Sequence, residues 1–79
     1  MLSSEQLRAA RALKRIDQAT LAGMAGVSVE TIKRLEKLNG ALLSANGKTI
    51  AAIQAALETA GVEFIGDDGV RVRGPPLKD

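Results

Sequence analysis

The chain has 79 residues, which allows one domain with a modest hydrophobic core. It contains no cysteine and no histidine, which excludes a disulfide, a thiolate metal site and the commonest general base. The formal charge is only +2 and no apolar run approaches a membrane span, so a small core of Leu, Ile, Val and Ala must hold the fold.

Three helix starts share one signature. Ser3 is positioned as a cap, with Gln6 completing a capping box and Leu2 and Leu7 forming a staple across it. Asp17 caps next, flanked by Ile16 and Leu21, and Ser28 caps third, flanked by Val27 and Ile32. Helices are expected at about 4–15, 18–25 and 29–38. Gly26 falls where the chain must turn sharply, in a left-handed conformation that suits glycine, and Asn39-Gly40 is read as the terminator of the third helix.

Beyond an irregular loop from Ala41, Ser44 or Asn46 can cap a fourth helix that runs to about Ala60. Ile50, Ile53 and Leu57 share one side of it, with Gln54 and Glu58 on the other, and Gly61 stops it. The period then changes to two. Val62 and Phe64, then Val70 and Val72, alternate with Glu63, Ile65, Arg71 and Arg73, and Gly66-Asp67-Asp68-Gly69 separates the runs. A two-stranded hairpin is expected at 62–65 and 70–73, followed by Gly74-Pro75-Pro76 and a flexible tail at 74–79. An isolated hairpin is marginal in water, so this one must pack on the helices or pair with a second copy.

The segment Gln18–Glu36 reads as two short helices bent around a tight turn. Leu21, Ala22 and Ala25 give the first an apolar face, Ile32 and Leu35 anchor the second, and Val29, Glu30, Thr31, Lys33 and Arg34 are left facing outward. Charge follows the same division. Residues 1–38 hold seven basic and four acidic residues, whereas residues 39–79 hold four basic and five acidic. A positive half that coincides with the two-helix segment suits phosphate binding, although ordinary solvated helix charge gives the same count.

The string Arg8-x-x-Arg11, then Asp17-Gln18-x-x-Leu21-Ala22-x-x-Ala25-Gly26-Val27-Ser28-x-x-Thr31-Ile32-x-x-Leu35-Glu36, resembles the XRE family of bacterial and phage DNA-binding domains. The resemblance covers about residues 3–60. The stretch Ala56-Leu-Glu-x-Ala-Gly-Val-Glu-Phe-Ile65 is similar to a short single-domain bacterial subgroup. It implies a mainly α, lambda-repressor-like helix-turn-helix bundle of four or five short helices with a C-terminal two-stranded β-hairpin. It also implies that Gln18 bonds a backbone phosphate, that Ser28, Val29, Glu30 and Arg34 face bases or the adjacent phosphates, and that Arg11 and Glu36 form a buried ion pair between the first and third helices.

The residue chemistry leaves alternatives open. Arg34 can read guanine O6 and N7, or contact phosphate. Glu30 can accept from a cytosine amino group, or pair with Lys33 or Arg34 at helical spacing. Val29 can touch a thymine methyl, or rest on the groove wall. Thr31 and Gln18 donate to phosphates or simply face water, and Lys37 and Arg15 sit at helix C-termini, where cations are favoured anyway.

No nucleophile sits beside a base and no glycine-rich loop opens a helix after a strand, so no enzyme, cofactor or metal site is expected. The expected function is sequence-specific DNA binding by a transcriptional regulator, a repressor rather than an activator, with the helix at 29–38 in the major groove. The expected partner is double-stranded DNA bearing a palindromic operator. A homodimer is expected, with Val62, Phe64, Val70 and Val72 of the hairpin as its interface. The competing reading is a protein-interaction module, an antitoxin or antiactivator built on the same fold. A cytoplasmic location, without a leader or membrane segment, is expected in either case.

Overall fold

The computed structural model describes residues 2–40 and 46–73. The possible cap at Ser44, the loop at 41–45 and the tail at 74–79 lie outside the described residues. Four helices, α1 (Ser4–Lys14), α2 (Gln18–Ala25), α3 (Val29–Lys37) and α4 (Gly47–Thr59), precede a two-stranded antiparallel hairpin of β1 (Val62–Ile65) and β2 (Gly69–Val72).

The helix starts follow the capping chemistry. Ser3 Oγ accepts from the Gln6 backbone N–H and Gln6 Oε1 accepts from that of Ser3, both at 3.0 Å, so the capping box is complete. Asp17 Oδ1 takes the Thr20 N–H at 2.7 Å and Ser28 Oγ that of Thr31 at 3.2 Å. Asn46 caps α4 through the N–H groups of Lys48 and Thr49.

The ends depart from the sequence pattern in two places. Helix α1 stops at Lys14 because Arg15 turns left-handed, at φ 55°. The Ile16 N–H then bonds Arg11 O and the Arg15 N–H bonds Ala12 O, the same pair of bonds that closes α2 around Gly26 at φ 71°. Helix α3 ends at an extended Leu38 rather than at a left-handed glycine. Gly40 is left-handed, at φ 76°, but it serves to dock the chain on α1: its carbonyl accepts from the Ser4 N–H and its N–H donates to the Glu5 carboxylate. The carbonyls at the end of α3 are met instead by α1, where Arg8 Nη1 donates to the oxygens of Glu36 and Leu38, and Ser4 Oγ to that of Glu36.

One core joins the elements. Leu2 and Leu7 of the N-terminal segment meet Leu21, Ile32 and Leu35 of the central helices and Ile53 and Leu57 of α4. The hairpin completes the core, packing on α1 and α4. Its register pairs Val62 with Val72, Glu63 with Arg71, Phe64 with Val70 and Ile65 with Gly69, so β2 starts one residue earlier than its alternation suggested. Gly69 admits this pairing because a Cβ there would lie 2.9 Å from the Ile65 carbonyl oxygen.

This packing corrects the expected interface role of Val62. Val62 is fully buried within its own chain, and Phe64 and Val70 are partly buried against the same core. The hairpin spends these apolar side chains, Val62 entirely and the other two in part, on covering its own helices. Val72 remains 42% exposed, and Ile65, on the other face, 49%.

Candidate nucleic-acid interface

Helix α3 is strongly two-sided. Ile32 and Leu35 are fully buried and Glu36 nearly so, which fixes the helix from below. On the opposite side Glu30, Lys33, Arg34 and Lys37 are exposed at three- and four-residue spacing and form one stripe along the axis. No ion pair joins any of these four to another described residue, so three cations and one acid lie open on a single face. Of the two alternatives for Glu30, the pairing with Lys33 or Arg34 is therefore absent among the described residues: the side chains extend into solvent.

The other residues picked out at the start of α3 are less free. Val29 is half-buried and packs against the core, so it is not a fully outward group. Ser28 Oγ and Thr31 Oγ1 lie 2.9 Å apart and hydrogen-bond one another, which ties both hydroxyls to the helix start.

Behind the stripe lies a polar network of three elements. Arg11 of α1 makes a two-pronged contact with Glu36 of α3, Nε to Oε2 at 2.5 Å and Nη2 to Oε1 at 2.8 Å. Arg11 Nη1 also donates to Ile16 O at 2.8 Å, tying the α1–α2 turn to the same point. Gln18, the first residue of α2, donates from Nε2 to Glu36 Oε1 at 3.0 Å. Its amide is thus bound inside the protein and not wholly turned to solvent. Burial pushes the Glu36 carboxyl up, but hydrogen bonds from Arg11 and Gln18, with the positive charges of Arg11 and Arg8, outweigh it and hold the group below its ordinary value. The Arg11 guanidinium is held in its charged form by the same contact.

The structure therefore gathers Lys33, Arg34, Lys37 and Glu30 on one face, sets Ser28, Val29 and Thr31 at its N-terminal end, and places Gln18 beside its buried root. Two roles escaped the sequence pattern: that of Arg8, quoted only as a member of the family string, which clamps the end of α3, and that of Ser4 beneath it. Their four-residue spacing on α1 was visible, and Arg8 Nη1 does donate to Ser4 Oγ at 2.8 Å. Nothing local pointed to the Glu36 carbonyl 28 positions away.

No protein-family model matches the chain, and no curated protein matches it. No helix among the described residues is long and apolar enough to cross a membrane.

Proposed function

We propose that this domain binds double-stranded DNA sequence-specifically, with α3 in the major groove, as an XRE-type helix-turn-helix regulator of lambda-repressor-like fold. The observation that carries the reading is the exposed stripe of Lys33, Arg34 and Lys37, without ion-pair partners among the described residues, on a helix anchored by Ile32 and Leu35. A helix of this width fits the major groove, and cations set along it meet both base edges and phosphates. Arg34, near the centre of the stripe, is assigned the base contact; Lys33 and Lys37 are assigned to phosphates. The role proposed is repression, which needs only occupancy of a site. One such helix reads too few base pairs to select a site in a genome, so two copies on a palindromic operator are proposed. The apolar groups the hairpin leaves exposed for a second copy are Ile65 and Val72.

Selection of bound sequences from a random duplex pool tests this reading. A palindromic motif is expected, with Arg34→Ala losing about 1–3 kcal/mol on the selected site and relaxing base preference at one position in each half. Equal loss on selected and random DNA would reduce Arg34 to a phosphate contact. A protein-binding role for the same frame would rest on the uncharged groove between α2 and α4, lined by Met24, Ala25, Ala52, Ala55, Ala56 and Thr59. Binding there would be nearly insensitive to salt, whereas DNA binding falls steeply with it.

A further inference from the structure

We infer that Asn39 is a site of spontaneous modification: its side-chain amide is lost by cyclisation onto the backbone nitrogen of Gly40, with the Glu5 carboxylate as the base, while the same dipeptide at Asn46-Gly47 is held closed by its place at the start of α4. The sequence carries Asn-Gly at both positions. Asparagine before glycine is especially prone to this reaction, because no Cβ obstructs the approach of the glycine nitrogen. The fold treats the two pairs differently.

At Asn46 the amide is occupied. Its Oδ1 accepts from the Lys48 N–H at 2.8 Å and from the Thr49 N–H at 3.4 Å, and Gly47 is already the first residue of α4. Cyclisation there must first give up the cap and unwind the first turn. Asn39 is exposed, and its side chain has no hydrogen-bond partner among the described residues. Gly40 is left-handed, at φ 76°, and an added Cβ would meet nothing within 4 Å, so the surroundings leave room for a ring. The Gly40 N–H points at the Glu5 carboxylate, with the nitrogen 3.0 Å from Oε1 and 3.3 Å from Oε2. A carboxylate within hydrogen-bond reach of the proton to be removed has the geometry of a general base.

The atoms balance with water as the one co-reactant. A bond forms between Gly40 N and Asn39 Cγ, the Gly40 N–H proton passes to Glu5 and from it to the side-chain nitrogen, and ammonia leaves. Water then opens the cyclic imide at either carbonyl, giving aspartate or isoaspartate. Either product places a new negative charge just past the end of α3, where the helix dipole is already negative. Isoaspartate also inserts a methylene into the backbone directly before Gly40, whose carbonyl takes the Ser4 N–H at 2.9 Å. The dock of this segment on α1 is therefore weakened as the protein ages. None of this chemistry depends on what the domain binds.

The test follows both asparagines in folded full-length protein at mildly alkaline pH, by mass spectrometry of peptides after chromatography that separates aspartate from isoaspartate. Asn39 is expected to convert roughly tenfold faster than Asn46. In urea, where neither the cap nor the Glu5 contact survives, the two rates should converge. Equal rates in the folded chain, or a ratio that urea leaves unchanged, would overturn the inference. Glu5→Gln keeps an acceptor for the Gly40 N–H but removes the base, and should slow Asn39 by roughly fivefold to tenfold without changing Asn46. An unchanged Asn39 rate in that variant would overturn the role of Glu5. The separated isoaspartate form should exchange its Ser4 amide hydrogen faster than the native chain does. Equal exchange would overturn the loss of the dock.

Discussion

Gln6 Nε2 donates to the carbonyl oxygen of Gly69 at 3.0 Å, across 63 positions of sequence, and to that of Gly66 at 3.1 Å. The same amide accepts from the Ser3 N–H through Oε1. One buried side chain therefore completes the α1 cap and binds both ends of the hairpin turn. Gln6→Ala leaves these groups without their partner and should cost about 1–3 kcal/mol. Gln6→Glu keeps the acceptor for Ser3 but cannot donate to the turn when ionised, so it should loosen the hairpin selectively. Hydrogen exchange of the β1 and β2 amides, with thermal melts of both variants, checks this. An unchanged melt for Gln6→Ala would contradict it.

Glu36→Ala should destabilise the domain by roughly 3 kcal/mol, because it strands the Arg11 guanidinium in a mostly buried site. In a chain of this length each kcal/mol moves the midpoint by about 4–8 °C, so the change is easily read by calorimetry. Replacing Arg11 and Glu36 together with apolar residues of similar volume should recover much of the loss.

The two inter-helix turns make a matched pair of tests. Arg15 and Gly26 both close a helix in the left-handed region. An L side chain there is strained, so Arg15→Gly should stabilise by about 0.5–1 kcal/mol, the relief being partly offset by a freer unfolded chain. Gly26→Ala should cost about 1 kcal/mol, and the cost is conformational alone, since an added Cβ meets nothing within 4 Å. Urea melts with unchanged slope would show that only native-state stability moved.

Stability should fall in acid. The carboxyls of Glu36, Glu5 and Asp17 all sit below their ordinary values. In Glu36 the contacts with Arg11 and Gln18 overcome burial; Glu5 is lowered by its own backbone N–H and that of Gly40, and Asp17 by the Thr20 N–H. A lowered folded-state pKa means stability that is fully present above the ordinary value, 4.5 for Glu and 3.8 for Asp, and lost as pH drops through the lower folded value. The midpoint should therefore be flat from about pH 6 to 8, where no side chain of this histidine-free chain titrates, and decline below about pH 4.5. Glu36→Gln should flatten part of the acid limb.

What the sequence made legible was local. Ser3, Asp17, Ser28 and Asn46 announce their helices because a cap and the N–H groups it serves lie within three residues of each other. The alternation around Phe64 announces a strand for the same reason. It does not say which surface the strand covers, and Val62 accordingly went to its own core instead of to a second copy. Gln18 could be placed at the start of α2 by pattern, but its partner Glu36 lies 18 positions on and depends on how α2 and α3 cross. Gly40 was read as a helix terminator from composition, whereas its left-handed turn serves the contacts with Ser4 and Glu5. Interactions over long sequence separations have no local signature.

The most direct test of the central claim is the salt dependence of duplex binding, measured on full-length protein and on a variant with Lys33, Arg34 and Lys37 all changed to alanine. Exposed residues such as these contribute little to stability, so the variant should melt as the native chain does. The native chain should bind random duplex with an affinity that falls linearly in log–log form as salt rises. The variant should bind more weakly, with a slope shallower by about 2–3, close to one for each phosphate it no longer neutralises. Identical slopes and affinities for the two folded proteins would contradict the assignment of α3 as the DNA-reading helix.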